Sequence, residues 1–358
     1  MNYVLSEKEP RIVFTPEEEL FVNHEPKVRS GHLGHALVEC ADGSILAFYS
    51  NCSGKQGPGQ WVGHTMYGWV EYRRSTDRGV TFGEPTVLPY SYQSFIDGEF
   101  RIGCEKAVCC DDGTIALFCL RSVGPYFEPY TSPTCILSHD NGFTWSEPIS
   151  VHDEAGRIYD ARMKDGVIYV LMFCNSMHLG STDEHRYKLI VSEDNGKSFH
   201  VRSTMEFDSR NHGYGNILFL PDGTLGAYLY TDGDEYQLTN LVSHDNGFTW
   251  SEPFHSDVAK IARNPQIAYI NGQYILHGRS ENGVNFVFYH SSDSFHWDKG
   301  TIVSELLDGN PRGGCYYSNN LVIKGADGID RLLVQYSEQY DRIGAARTNI
   351  CHGWVTVE

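Results

Sequence analysis

The sequence predicts an all-β fold, a six-bladed β-propeller in which residues 1–358 form one domain. Two internal repeats predict it. One is an octet with the pattern Ser-x-Asp-x-Gly-x-Thr/Ser-aromatic, and the other is an apolar hairpin that occurs six times. The 36 glycines suit a fold with many tight turns. Self-similarity at a period of this size is the signature of a repeat architecture.

The octet recurs at a spacing that fits a propeller blade of four strands. It reads STDRGVTF at 75–82, SHDNGFTW at 138–145, SEDNGKSF at 192–199 and SHDNGFTW at 243–250, with a shorter SSDSFHW at 291–297. Asp, Asn and Gly favour a tight turn, in which the Ser and Asp side chains can bond local backbone N–H groups. We expect the final aromatic residue to pack between neighbouring blades.

The hairpin consists of two apolar strands joined by a turn that contains Asp-Gly or Asn-Gly. Its six copies are ALVECADGSILAF, KAVCCDDGTIALF, RMKDGVIYVLMF, ILFLPDGTLGAYLY, IAYINGQYIL and NLVIKGADGIDRLLVQY. Each copy predicts the two inner strands of one blade. The segment RIVF at 11–14 precedes the first copy, and we expect it to pair with the last blade. Such pairing closes the ring and leaves no open sheet edge. No helical periodicity longer than a turn or two is present.

Charge and composition exclude several classes of partner. Lys and Arg total 28 against 46 Asp and Glu, so the formal net charge is −18. This field would repel nucleic acid and an anionic membrane surface. No run of 18 apolar residues suggests a membrane span. The start MNYVLSEKEPR is too polar for a signal peptide, which predicts a cytoplasmic protein whose ten cysteines are reduced core thiols. No cofactor or metal motif occurs.

The octets resemble the Asp-box repeats of the sialidase superfamily over nearly the whole chain. The resemblance implies a propeller that acts on glycosidic linkages. It implies more specifically a sialidase-like, exo-acting glycoside hydrolase, and we expect its glycan substrate to be acidic. The segment Cys315-Tyr316-Tyr317-Ser318 resembles the one that carries the sialidase nucleophile, which implies Tyr317 in that role. Arg279 in the fifth blade resembles one of the carboxylate-binding arginines of the family.

The sequence departs from the family pattern at four other places, one of which is LGAYLYTDGDEYQL, where the second carboxylate-binding arginine is missing. Leu33-Gly34-His35 stands where the family has its first arginine. The loop before the first octet has no aspartate, and His64 and Tyr67 are its proton carriers. The fourth inner strand begins without a glutamate. The substrate need not therefore be sialic acid.

Polar residues stand at the start of each inner strand, where a propeller brings its blades together. Buried ionisable groups are costly unless they are paired, so these residues should either pair with one another or face a ligand. This predicted rim contains His32, His35, Glu105, Lys106, Asp160, Arg162, His212, Tyr214, Arg263, Asn264, Arg312, Tyr316 and Tyr317. Because His32 and His35 are three apart on a strand, they point to opposite faces and predict no metal pair.

Three functions are compatible with this rim. In a hydrolase, Tyr317 attacks the anomeric carbon, Glu105 takes up its proton, and Asp160 or His64 protonates the leaving group. In a polysaccharide lyase, His212 and Tyr214 move the protons of a uronic acid, since their spacing of two places them on one strand face. The third function is glycan binding without catalysis. The predicted substrate-binding residues are His32, His35, Arg162, Arg263, Arg279, Arg312 and Tyr316. Oligomeric state stays open.

Overall fold

The computed structural model of the protein contains six antiparallel sheets around one axis, which confirms the predicted six-bladed propeller. It describes residues 2–55, 64–124, 127–178, 185–280, 285–305, 315–325, 327–341 and 347–358. Arg312, a predicted rim residue, lies outside these ranges. Two strands precede the first blade, β1 (Tyr3–Ser6) and β2 (Ile12–Pro16), followed by a single 3-10 turn at Glu25–Lys27.

The first three blades each contain four successive strands, and a short fifth strand joins the first of them. Blade 1 contains β3 (Arg29–Ser30), β4 (Ala36–Glu39), β5 (Ile45–Ser53), β6 (Gly68–Ser75) and β7 (Thr86–Val87). Blade 2 contains β8 (Phe100–Cys109), β9 (Ile115–Val123), β10 (Thr134–Ser138) and β11 (Ile149–Ser150). Blade 3 contains β12 (Gly156–Lys164), β13 (Val167–Cys174), β14 (Arg186–Ser192) and β15 (His200–Thr204).

The last three blades follow the same order from the axis outward. Blade 4 contains β16 (His212–Phe219), β17 (Leu225–Thr231), β18 (Gln237–Ser243) and β19 (Phe254–Asp257). Blade 5 contains β20 (Arg263–Ile270), β21 (Gln273–Ser280), β22 (Asn285–Ser291) and β23 (Thr301–Glu305). Blade 6 contains β24 (Ser318–Lys324), β25 (Asp330–Gln339) and β26 (Thr348–Val357), completed by β2 and β1.

The N-terminal strand closes the ring as predicted. β2 pairs antiparallel with β26, so that Ile12 lies opposite Val357 and Phe14 opposite Val355. The Phe14 ring is buried, with its centroid 4.7 Å from that of Phe288 in blade 5. Burying a phenyl side chain contributes about 1.5–3 kcal/mol, so this clasp is held by apolar packing as well as by the strand ladder.

The octets are turns between the third and fourth strands of blades 1 to 5. In the second octet, Ser138 Oγ accepts a bond of 2.7 Å from Gly142 N–H, and Asp140 Oδ1 accepts one of 2.8 Å from Thr144 N–H. The final Trp145 packs against blade 1, 5.8 Å from the Phe48 ring. This confirms the predicted turn chemistry and inter-blade packing.

One nine-residue helix differs from the expectation that no helix exceeds a turn or two. Helix α1 (Pro89–Asp97) connects blades 1 and 2. It begins at a proline, which is favoured in the first helical turn, and ends before Gly98 at φ 76°. Ser91 is the only buried residue in it, so the helix lacks the apolar stripe that would reveal it in the sequence.

The six inner strands β4, β8, β12, β16, β20 and β24 surround the axis, and β24 contacts β4 to complete the circle. All of them begin at the same end of the ring, which we call the pocket face. Because strands alternate in direction, the hairpins and octets all lie on the opposite face. All ten cysteines are unpaired, and nine of them are buried. Within the described ranges, no helix has the length and apolarity to cross a membrane.

Candidate functional site at the propeller axis

A pocket opens on the axis at the pocket face. Five of the six blades contribute to its wall. The lining includes His35, Glu105, Arg157, Tyr159, Asn264, Gln266, Tyr317, Ser318 and Asn319. Several polar groups converge in this concave site, and such groups fix the orientation of a small ligand.

Two tyrosines are hydrogen-bonded to each other at this site. The hydroxyl oxygens of Tyr317 and Tyr214 are 3.1 Å apart. The guanidinium carbon of Arg279 lies 3.8 Å from the centroid of the Tyr317 ring, a cation–π contact. Burial raises the pKa of Tyr214 well above its usual value. Tyr214 therefore remains a protonated phenol at neutral pH and cannot serve as the base for Tyr317.

A local irregularity in β16 places Tyr214 there. The register of β16 against β17 shifts between Gly213 and Gly215, so Tyr214 is the extra residue of a bulge. The bulge breaks the alternation of side chains along the strand. His212 consequently lies elsewhere, with Nε2 3.0 Å from Thr239 Oγ1 and Nδ1 3.1 Å from the Arg210 carbonyl oxygen. The expected joint face of His212 and Tyr214 is not formed.

Glu105 forms an ion pair with an arginine that the sequence analysis missed. Arg157 Nε lies 2.8 Å from Glu105 Oε2, and both side chains are almost fully buried. Burial raises the pKa of Glu105, and the Arg157 charge opposes that rise. Arg157 stands at the start of β12, three residues before the predicted Asp160. Its basic side chain at a strand start was the signal that could have revealed it.

Asp160 lies beneath the pocket and is fully buried. Oδ1 is 3.1 Å from Lys106 Nζ, and Oδ2 is 3.1 Å from Arg162 Nε. Oδ2 also accepts a bond of 3.0 Å from Ile217 N–H in blade 4. With these partners and no exposure to the pocket, Asp160 is not placed to protonate a leaving group, contrary to the hydrolase scheme. Of the two possibilities for a rim residue, pairing within the protein or facing a ligand, the geometry of Asp160 fits the first.

Lys106 and Arg162 extend this network across the axis. Lys106 Nζ donates to Asn319 Oδ1 at 2.6 Å, and Asn319 Nδ2 donates to the His35 carbonyl oxygen at 2.7 Å. Arg162 donates to the Ile267 carbonyl oxygen at 3.2 Å. Burial lowers the pKa of Lys106 to about 8, and Asp160 opposes that decrease. We call this network of Lys106, Asp160, Arg162, Asn319 and their backbone partners the axial plug, and it links all six blades at the axis. Arg162 was predicted to bind substrate, but in the axial plug it binds protein groups instead.

Two histidines from loops of blade 1 contact each other, and one of them, His32, contacts Tyr317. The His32 ring centroid is 4.9 Å from that of His64 and 6.0 Å from that of Tyr317. Neither ring nitrogen of His32 has a hydrogen-bond partner in the described part of the chain. Burial and then Arg279 lower the pKa of His64 to about 4. His64 is therefore neutral at pH 7 and lacks the proton that the hydrolase scheme asks it to give.

His35 lines the pocket itself, as predicted from its place in the rim. Its Nδ1 accepts a bond of 3.0 Å from Gln335 Nε2 in blade 6. Burial lowers the pKa of His35 to about 3. It is a neutral imidazole whose Nε2 has no partner among the described residues.

His178 contacts the tyrosine pair from a loop that carries no repeat, and Glu128 and Tyr130 are connected to it from a second such loop. His178 Nδ1 is 3.0 Å from the Tyr159 hydroxyl, and its ring lies 4.5 Å from the Tyr214 ring. Glu128 Oε1 accepts bonds from His178 N–H at 3.0 Å and from the Tyr130 hydroxyl at 3.1 Å. Their loops follow β9 and β13, and no sequence signal beyond the residue types marks them.

Two other predicted rim residues lie away from the pocket. Arg263 forms ion pairs with Glu235 and with Asp232, the latter at 3.4 Å. Tyr316 has φ +59° and is fully buried, with its ring stacked 5.4 Å from Phe286. This turn of the backbone sends Tyr316 into the core between blades 5 and 6, while Tyr317 reaches the pocket.

The described residues contain no group of three or more His, Cys, Asp or Glu side chains that could hold a metal ion. No protein-family model matches the chain. No curated protein matches it either.

Solved structures do match the fold over most of the chain. A protein of unknown function from Dyadobacter fermentans has a TM-score of 0.67 at 16% identity, covering 100% of this chain and 98% of its own. A Hadza microbial sialidase, Hz136, has 0.64 at 17%, covering 93% and 67%. An α-L-arabinanase from Penicillium chrysogenum, solved with arabinobiose, has 0.62 at 14%, covering 99% and 97%. At these identities the likeness concerns the fold. The chain thus has the six-bladed propeller fold that sialidases share with other propeller glycosidases.

Proposed function

We propose that this protein is a glycoside hydrolase that cleaves a terminal sugar unit held in the axial pocket. The observation that carries the proposal is Tyr317, hydrogen-bonded to Tyr214 and covered by Arg279 on the wall of that pocket. The pocket is blind because the axial plug closes its base, which favours exo-action on a chain end. The neighbours of the same fold that act on carbohydrates support the assignment.

In this mechanism the Tyr317 oxygen attacks the anomeric carbon as the glycosidic bond breaks. Glu105 takes up the phenolic proton; its raised pKa makes it a better proton acceptor than a solvated carboxylate. Tyr214 holds the Tyr317 oxygen in place by donating a hydrogen bond to it. Arg279 stabilises the negative charge that develops on the phenol during transfer. Arg157 in the pocket wall and Arg279 against the Tyr317 ring favour an acidic sugar unit.

A second candidate is a polysaccharide lyase, which a different observation favours. The histidines around the tyrosine pair are His32, His64 and His178, and burial lowers the pKa of each. Neutral imidazoles can abstract the proton next to the carboxylate of a uronic acid, while a tyrosine returns a proton to the leaving oxygen. They take the role that the sequence analysis gave to His212.

The experiment is a screen of acidic and neutral oligosaccharides with two readouts. A hydrolase releases reducing sugar without new ultraviolet absorbance, whereas a lyase creates an absorbing unsaturated uronate. A glycan-binding protein without catalysis gives neither signal but retains affinity for the ligand. Release of a terminal sugar that the Tyr317→Phe variant has lost supports the proposal. A wild-type protein that turns over no member of the panel contradicts it.

A further inference from the structure

We propose that Glu128, in the loop after β9, is the carboxyl group that protonates the leaving oxygen. The inference rests on the proposed hydrolase function and assigns the second carboxylate which that reaction requires. Family resemblance places the acid in the loop before the first octet. That loop has no aspartate here. Of the residues predicted to replace it, Asp160 is buried among its ionic and amide partners, and His64 has a lowered pKa that leaves its imidazole neutral.

Several acidic groups near the pocket face are held by cations. Glu105 is paired with Arg157 and Asp160 with Lys106. Glu235 and Asp232 are both paired with Arg263. Glu154 accepts bonds from Lys188 and Arg186, each at 2.6 Å. A carboxylate held by a cation favours its ionised form and is a poor proton donor.

Glu128 differs from these groups in its partners. Its Oε1 accepts bonds from two neutral donors, Tyr130 O–H and His178 N–H. Within the described ranges it forms no ion pair and its Oε2 accepts no hydrogen bond. The side chain is half-buried, so one oxygen is fixed while the other stays accessible.

Contacts connect Glu128 to the reacting tyrosine. The backbone of His178 binds Glu128, and the His178 ring packs on Tyr214, whose hydroxyl bonds Tyr317. The residue before Glu128, Phe127, lies 4.9 Å from the His32 ring, which itself contacts Tyr317. Two separate paths of contacts thus connect the Glu128 segment to the aromatic residues around Tyr317.

The step balances without a cofactor. The bond from the Tyr317 oxygen to the anomeric carbon forms as the bond to the leaving oxygen breaks. The phenolic proton goes to Glu105, and the Glu128 carboxyl proton goes to the leaving oxygen. In the second half, the Glu128 carboxylate takes a proton from water, whose oxygen forms the new bond to the anomeric carbon. The bond from that carbon to the Tyr317 oxygen breaks, and Glu105 returns its proton to the departing phenolate.

The test compares leaving groups on the sugar that the wild-type protein cleaves. Aryl glycosides are made with 4-nitrophenol, which needs little protonation, and with phenol, which needs more. We expect Glu128→Gln to reduce turnover of the phenyl glycoside about 10²- to 10⁴-fold, the usual contribution of a positioned acid. Loss on the 4-nitrophenyl glycoside should be below about tenfold. Azide should restore turnover of the Glu128→Ala variant by replacing water.

Tyr130→Phe is the matched control because it removes one hydrogen bond to Glu128 and keeps the carboxyl group. It should change both substrates equally. If Glu128→Gln fails to fold, Glu128→Asp provides the same test. Its shorter side chain moves the carboxyl group away from the leaving oxygen, so turnover of the phenyl glycoside should again fall more than turnover of the 4-nitrophenyl glycoside. An equal loss on both substrates, or none, overturns the inference while the hydrolase function stands. Absence of wild-type turnover overturns both.

Discussion

The ammonium group of Lys106 lies 3.1 Å from Oδ1 of Asp160, and both side chains are almost completely buried on the propeller axis. A lysine from blade 2 thereby neutralises an aspartate from blade 3 beneath the pocket. Removing one partner of a buried pair leaves an uncompensated charge, which is costlier than losing both.

We therefore expect Asp160→Ala to lower the free energy of unfolding by about 3–5 kcal/mol. Replacing both partners, Lys106→Met with Asp160→Leu, should cost less, because no unpaired buried ammonium group then remains and Arg162, which loses Asp160 in both variants, is partly exposed. Urea titration followed by tryptophan fluorescence measures both variants. A double variant that is less stable than Asp160→Ala would contradict this account of the axial plug.

The tyrosine pair gives a graded prediction for activity. Tyr317→Phe should lower kcat about 10²- to 10⁴-fold, since the reacting oxygen is gone. Tyr214→Phe removes one hydrogen bond, worth about 1–1.5 kcal/mol, so kcat should fall about tenfold with KM little changed. The control is Tyr228→Phe, a buried phenol that bonds Ser294. Equal losses for Tyr214→Phe and Tyr228→Phe would argue against a role for Tyr214 at the site.

Buried histidines predict a loss of stability in acid. Burial lowers the pKa of His24, His35, His277 and His352 to about 3 each. Below pH 6.5 the unfolded chain binds protons at these residues and the folded chain does not. The free energy of unfolding should fall by about 1.4 kcal/mol per pH unit for each of them down to the folded-state pKa.

Unfolding curves at pH 7, 6, 5 and 4 measure this slope. His277→Gln should reduce it by the share of one histidine. A slope unaffected by that substitution would show that other groups dominate the acid response.

In the segment that closes the ring, we expect Phe14 and Arg11 to contribute very differently to stability. Phe14→Ala should cost about 3–5 kcal/mol, because it empties the packing between blades 5 and 6. Arg11→Ala removes an exposed ion pair with Glu358 and should cost at most about 1 kcal/mol. Chemical denaturation compares the two. Similar losses of stability would contradict the account in which burial of the Phe14 ring, more than the Arg11–Glu358 ion pair, stabilises the closed ring.

We expect a substitution in an octet turn to lower the stability of the protein without changing the pocket. Gly142 has φ +85°, and an added Cβ would lie 2.4 Å from Leu46 Cδ1 in blade 1. Gly223 has φ +89° with nothing within 4 Å of that position. Gly142→Ala should therefore destabilise the protein more than Gly223→Ala, which bears backbone strain of about 1 kcal/mol alone. Any activity should be retained per folded molecule.

Most of the ring could be predicted from the sequence because it depends on local chemistry. The octets and the Asp-Gly hairpins are set by residues within a few positions of each other, and their copies agree with one another. Helix α1 has no comparable pattern and was missed. The role of β2 followed from counting strands, since one blade lacked its last partner.

The site was less predictable because its contacts join residues far apart in the chain. The position of Tyr214 depends on a bulge that the sequence does not reveal, and this bulge separates it from His212. Asp160 looked like a proton donor until Lys106 and Ile217 were seen to occupy its oxygens. His178 and Glu128 stand in connecting loops, where a single residue has no periodic context.

The octets and hairpins lie at one end of the ring, while Tyr317 and its neighbours lie at the other. Segments between the second and third strands can thus be exchanged without disturbing the turns that fix the architecture. A change of substrate specificity would therefore require sequence changes in only a few connecting segments, while the strands of the toroid stay the same. This division accounts for one frame serving a sialidase and an arabinanase alike.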